Sequence, residues 1–162
     1  MILSPVSIRR AKIITPCLEA TKYLGVTFGM SHAGYDIRIA EEHVIPPKGF
    51  VLGSAVEHFA LPNYVLGVVH DKSTWARRGV AVLNTVMEPG WKGYLTLELV
   101  NHSDKEVYIP QGVGIAQVVF SFLNHPTDDP YDGKYQDQKP GPQTAIFEAV
   151  SDTEEKIFTN AD

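Results

Sequence analysis

Tyr94-Leu95-Thr96-Leu97-Glu98-Leu99-Val100 places a leucine at every second position. In a strand, successive side chains point to opposite faces, so Leu95, Leu97 and Leu99 share one face and Tyr94, Thr96 and Glu98 the other. With the leucines turned into a core, Glu98 is either solvated or lines a pocket. Segments of similar length and composition recur on both sides, at 35–40, 50–57, 64–71, 80–83, 107–109 and 115–123, rich in β-branched and aromatic residues. Thirteen glycines and eleven prolines separate them. Short strands with turn signals every eight to twelve residues or so predict an all-β sandwich or barrel. Two short helices interrupt it. Ser4-Pro5 is an N-cap followed by proline at the first helical position, opening a helix through Lys12. Lys72 to Arg78 forms one or two turns that stop at Gly79.

Composition narrows the function classes. With 162 residues, 44% of them hydrophobic and 20% charged, the chain suits one ordinary folded domain. Fourteen basic against nineteen acidic residues leave a net charge of −5, which argues against an electrostatic nucleic-acid binder. The longest apolar stretch, near Val113 to Leu123, is too short to span a bilayer, so no membrane partner is expected. The start has no basic n-region of a signal peptide, and Cys17 is the only cysteine, excluding an internal disulfide framework. A cytoplasmic setting is the expectation. Residues 124–143, rich in Pro, Asp, Gly and Gln, read as an arm, and residues 151–162 as an acidic tail.

Two further stretches carry chemistry. In residues 70–79 a strand leads into the short helix, with the hydroxyls of Ser73 and Thr74 near its start and Arg77 and Arg78 behind. Ser, Arg and helix N-terminal amides suit a phosphate clamp, and a capped, solvated surface helix fits the same residues. No Walker A pattern occurs, and Gly112-Val113-Gly114 lacks the third glycine of a dinucleotide fingerprint. The six histidines show neither HExxH nor the His-x-Glu and Pro-Cys-x-x-Cys pair of zinc deaminases, so no zinc is expected.

Taken in order, these stretches resemble the dCTP deaminase and dUTPase superfamily over nearly the whole chain. The carriers are Met1-Ile2-Leu3-Ser4, His32-Ala33-Gly34-Tyr35-Asp36-Ile37-Arg38, Asp71 to Gly79, Glu88-Pro89-Gly90-Trp91-Lys92-Gly93, Thr96 to Asn101, Gly114-Ile115-Ala116-Gln117 and Tyr131 to Gln138. The resemblance implies a mostly β, distorted barrel or jelly-roll of the dUTPase type spanning 1–162 as a single domain, with one or two short helices. It implies a homotrimer with active sites between subunits, and zinc-independent hydrolysis of dCTP to dUTP and ammonia.

Carried over to this sequence, Glu98 is the general base, Arg77 orients the site and Ser73 holds the nucleophilic water or the phosphates. Substrate contacts fall to Lys72, Thr74, Asn84, Glu88, Trp91, Gln117, Tyr131, Lys134 and Gln138, with the arm closing over the triphosphate. The resemblance implies Mg²⁺ bound through the nucleotide phosphates and no protein metal site. Glu88 stands where the family has aspartate, which contacts the sugar 3′-hydroxyl in deaminases and activates water in dUTPases. Residues 80–87 are shorter than the family's pyrimidine-reading segment, where dTTP also acts as an inhibitor, and Val82-Leu83-Asn84 resembles the dUTPase strand. A bifunctional deaminase and dUTPase giving dUMP, a dUTPase, a dCMP deaminase and a non-catalytic nucleotide-binding regulator therefore stand as alternatives.

Overall fold

A computed structural model describes residues 1–83 and 85–147; Asn84 and the acidic tail at 151–162 lie outside the described residues. The elements run α1 (Pro5–Ala11), β1 (Ile14–Thr15), β2 (Thr21–Tyr23), β3 (Val26–Met30), β4 (Tyr35–Arg38), β5 (His43–Ile45), β6 (Phe50–Ala60) and β7 (Val65–Asp71). They continue with α2 (Ser73–Ala76), β8 (Val80–Val82), β9 (Val86–Met87), β10 (Lys92–Asn101), β11 (Val107–Ile109) and β12 (Gly114–Phe122). The mostly β class expected from the sequence holds. No helix among the described residues is long and apolar enough to cross a membrane.

Two larger sheets enclose the core. One has the order β1-β6-β10-β8 and the other β2-β3-β4-β12-β7-β9, while β11 and β5 form a separate ribbon. All of these strand pairs are antiparallel. Phe59 of β6 and Phe120 of β12, both fully buried, meet at 6.4 Å between ring centroids, so the two sheets face each other across one apolar layer. Leu95, Leu97 and Leu99 of β10 are buried in that layer, as the alternation requires.

Register departs from a regular ladder at one place that matters for the site. Tyr94 pairs with His58 but Thr96 pairs with Ser54, so two extra residues of β6 are looped out of the ladder. There Ala55 bridges to Ile39, and the fully buried Glu57 receives the backbone N–H of Arg38 at 2.9 Å and its Nε at 2.8 Å. Burial pushes the Glu57 carboxyl above the ordinary range, and the hydrogen bonds from Arg38 pull against it. The irregularity thus stitches β6 to β4 of the opposite sheet, and it restarts the β10 ladder at Thr96, two residues before Glu98.

The helices follow their local signals. Ser4 caps α1 by accepting the N–H of Ser7, Pro5 occupies the first position, and Lys12 closes the end in the left-handed region. The α2 helix is a single turn, shorter than the 72–78 span of the sequence reading, because Arg77 already serves as its C-cap. Strands β1, β2, β3, β5 and β9 have no counterpart in that reading. Most have two or three residues, and β2 is exposed throughout, so no alternation announces it.

Candidate active site

The turn after β9 builds one wall. Pro89 and Gly90 form its centre, and the Trp91 N–H closes onto the Glu88 carbonyl at 3.0 Å. Gly90 sits at φ +91, open to glycine and strained for other residues. A Cβ there would also strike Pro130 of the arm at 2.6 Å. The arm therefore lies directly on this turn.

Backbone contacts extend the docking along β10. Tyr131 N–H donates to the Pro89 carbonyl at 2.8 Å, Asp137 N–H to Lys92 at 3.0 Å, and Tyr94 N–H to Gln138 at 3.0 Å. The buried indole of Trp91 donates to the Tyr135 carbonyl at 2.7 Å. The Gln136 side chain accepts from Lys92 N–H and donates to the Gly90 and Tyr131 carbonyls, filling the inside of the bend. Further on, Gln143 N–H donates to the Thr96 hydroxyl at 3.0 Å. Residues 131–143 thus behave as an added layer over β10.

Between this layer and the β9–β10 wall lies a cavity of about 490 Å³, within the range of small-molecule sites. It brings together Glu98, Glu88, Trp91, Tyr131 and Gln138 from the sequence reading. Glu98 is half-buried, and one carboxylate oxygen accepts from the Thr85 hydroxyl at 3.2 Å. The other walls are largely apolar, with Phe50, Leu52, Val86, Met87 and Leu95 among them. Glu88 and Glu98 are the charged residues lining it, and no Lys or Arg among the described residues does. An anionic ligand held here needs its cations from elsewhere.

The expected phosphate segment sits apart from this cavity. Its root is fixed. Lys72 Nζ donates to the buried Asp36 carboxylate, which also receives Gln117 Nε2 at 3.2 Å, so Lys72 and Gln117 are engaged within the fold. Asp71 accepts the N–H of Val82 at 2.7 Å, and the buried Trp75 indole donates to the Gly114 carbonyl at 2.7 Å. Ser73, Thr74 and Arg77, by contrast, are exposed, and none of them lines the cavity. Lys134 is exposed too, its ammonium 5.5 Å above the Tyr135 ring. Asn84 lies outside the described residues.

Several cavity residues escape the sequence reading: Thr85, Tyr135, and Gln143 to Ala145 at and beyond the arm's expected end. Thr85 has a detectable signal, since it follows Val82-Leu83-Asn84 directly. The reach of Gln143 to Ala145 has none, because no periodic pattern marks a loop that docks through backbone amides.

The family model described as dCTP deaminase-like matches residues 31–123. A curated dCTP deaminase of Herpetosiphon aurantiacus is 37% identical, the match covering 70% of this chain and 79% of that protein. Among solved structures, the dUTPase of EIAV superposes with a TM-score of 0.56 at 16% identity, covering 75% of this chain and 97% of its own. A mutant dUTPase of the S. aureus phage phi11, whose structure describes a structural Mg(II) ion, gives a TM-score of 0.56 at 15% identity, covering 74% of this chain and 95% of that one. At these identities the two dUTPases establish a common fold.

Proposed function

The chain belongs to the dCTP deaminase-like family, and on that premise we propose that it is an enzyme converting dCTP and water into dUTP and ammonia. The observation that carries this reading is Glu98, half-buried in a mostly apolar cavity beneath a docked arm.

Deamination at C4 of cytosine needs a base for water and an acid for the leaving amine. Glu98 takes one proton as the water oxygen bonds to C4 and delivers it to ring N3. It then takes the remaining hydroxyl proton and passes it to the departing nitrogen as the C4–N bond breaks, leaving uracil and ammonia. Such acid–base work contributes about 10²–10⁴-fold. Enzymes lower barriers by roughly 8–23 kcal/mol, so positioning and fixed dipoles supply the rest. The Trp91 indole and the arm cover one side of the cavity, which limits the water that competes with those dipoles.

A triphosphate carries several negative charges, and two carboxylates line this cavity. Its charge must be met by cations from outside the cavity. We assign this role to Arg77 from a neighbouring subunit of a homotrimer, together with Lys134, with the Ser73 hydroxyl beside Arg77 donating to the phosphates or the nucleophilic water, which their exposure permits. Mg²⁺ fits the same arrangement as a phosphate-bound ion. Among the described residues no group of three or more His, Cys, Asp or Glu gathers that would cage a metal. Bound through the nucleotide phosphates, Mg²⁺ would supply charge neutralisation there.

Glu88 favours a second reading, since it lines the same cavity as Glu98. In it the dUTP formed is cleaved further to dUMP and pyrophosphate. Incubation of the purified protein with dCTP and Mg²⁺, followed by nucleotide separation and an ammonia assay, tests both. Ammonia with accumulating dUTP supports the deaminase, and ammonia with dUMP supports the bifunctional enzyme. Release of no ammonia from dCTP rejects the proposal.

A further inference from the structure

Thr85 sits where the chain crosses between the two sheets. On one side, the Leu83 N–H donates to the Glu98 carbonyl at 2.9 Å, prolonging the pairing of β8 with β10. On the other, the Thr85 carbonyl accepts from Val69 N–H at 3.0 Å, and Val86 pairs with Val68. Its own carbonyl and the following Val86 are thus tied to β7, which limits where the Thr85 hydroxyl lies. It faces two acceptors at almost equal distance, Glu98 Oε2 at 3.2 Å and the Leu83 carbonyl at 3.3 Å. Among the described residues, Thr85 is the one side chain hydrogen-bonded to the Glu98 carboxylate.

A hydroxyl has one proton to give and lone pairs to accept with. Facing an ionised Glu98, Thr85 donates to the carboxylate. Once Glu98 carries a proton, the roles reverse: the carboxylic acid donates to Thr85 Oγ1, and the Thr85 proton swings to the Leu83 carbonyl. Both states of the acid–base cycle are satisfied without moving the backbone. A valine of the same shape satisfies neither, and a cavity this apolar makes an unsatisfied carboxylate costly. The β-branch restricts χ1, which favours rotation of the O–H bond over swinging of the side chain.

We infer that Thr85 is a positioning residue for the reaction, a hydroxyl that follows Glu98 through both protonation states by exchanging its own donor between the carboxylate and the Leu83 carbonyl. The inference rests on Glu98 being the base. It predicts a specific kinetic pattern, because Thr85 acts on the proton-transferring group and not on nucleotide binding.

The test measures kcat and KM for ammonia release from dCTP with Mg²⁺, using the full chain in its native assembly. The variants are Thr85→Val, Thr85→Ser and Glu98→Gln. Thr85→Val is expected to lower kcat about 10- to 100-fold, the range of a hydrogen bond to a charged group, with KM changed less than about twofold. Thr85→Ser keeps the hydroxyl and is expected to restore most of the rate. Thr85→Ala, read in the same way, serves if valine does not fit. Wild-type kcat in the valine and alanine variants overturns the inference, as does a serine variant that falls as far as they do. An effect on KM alone overturns it too. The underlying assignment is judged separately: a Glu98→Gln variant at the wild-type rate removes Glu98 as the base, whereas an inactive one leaves Thr85 to stand or fall alone.

Discussion

The wall around Glu98 and the short helix α2 put their hydrogen bonds to opposite uses. At the wall, hydrogen bonds from Pro89 through Thr96 pull the arm in and turn the functional side chains toward a shared cavity. At α2, Asp71, Lys72 and Trp75 fix the root of the helix, while Ser73, Thr74 and Arg77 are left facing outward. The first region is assembled within one chain; at the second, Ser73, Thr74 and Arg77 line no part of that cavity. Preorganising an exposed cationic segment is useful where another body supplies the ligand. In the proposed homotrimer, the cavity lined by Glu88 and Glu98, without a Lys or Arg among the described residues, is the complementary half.

Complementation offers the sharpest way to break this contrast. Arg77→Ala and Glu98→Gln are each expected to lose about 10²–10⁴-fold in turnover. Co-assembling the two inactive chains should then restore activity, because some sites pair an intact Arg77 from one subunit with an intact Glu98 from another. Mixed assemblies no more active than either variant alone would mean that both residues serve the same chain's site.

Lys72 sharpens the contrast on the stability side. Its ammonium and the Asp36 carboxylate are each about one-tenth exposed. Lys72→Met leaves Asp36 without its charged partner and is expected to cost about 3 kcal/mol of stability. Denaturant unfolding measures it. A change below about 0.5 kcal/mol, the range of an ordinary surface substitution, would return Lys72 to the exposed, ligand-facing set.

How much of this is legible in the sequence differs between the same two regions. The alternation of Leu95, Leu97 and Leu99 correctly separates the core face of β10 from the face carrying Glu98, because a two-residue period needs no knowledge of the partner strand. The caps of α1 are equally local. What escapes depends on residues distant in sequence. Asp36 captures Lys72 from a different strand, and the two extra residues of β6 emerge only when β6 is aligned against β10. The contact of Thr85 with Glu98 depends on a crossing between sheets that propensity cannot indicate. For α2 the residue types suit a phosphate clamp or a solvated helix equally, and the exposure of Ser73 and Arg77 is common to both.

Titrating dCTP into Glu98→Gln by calorimetry, alongside an ammonia assay of the same preparation, puts the role of Glu98 to the proof. A general base that touches the reacting water but not the phosphates gives dCTP affinity close to wild type with ammonia release at background. Ammonia release at the wild-type rate would contradict that role, and loss of dCTP binding together with turnover would make Glu98 a binding residue instead.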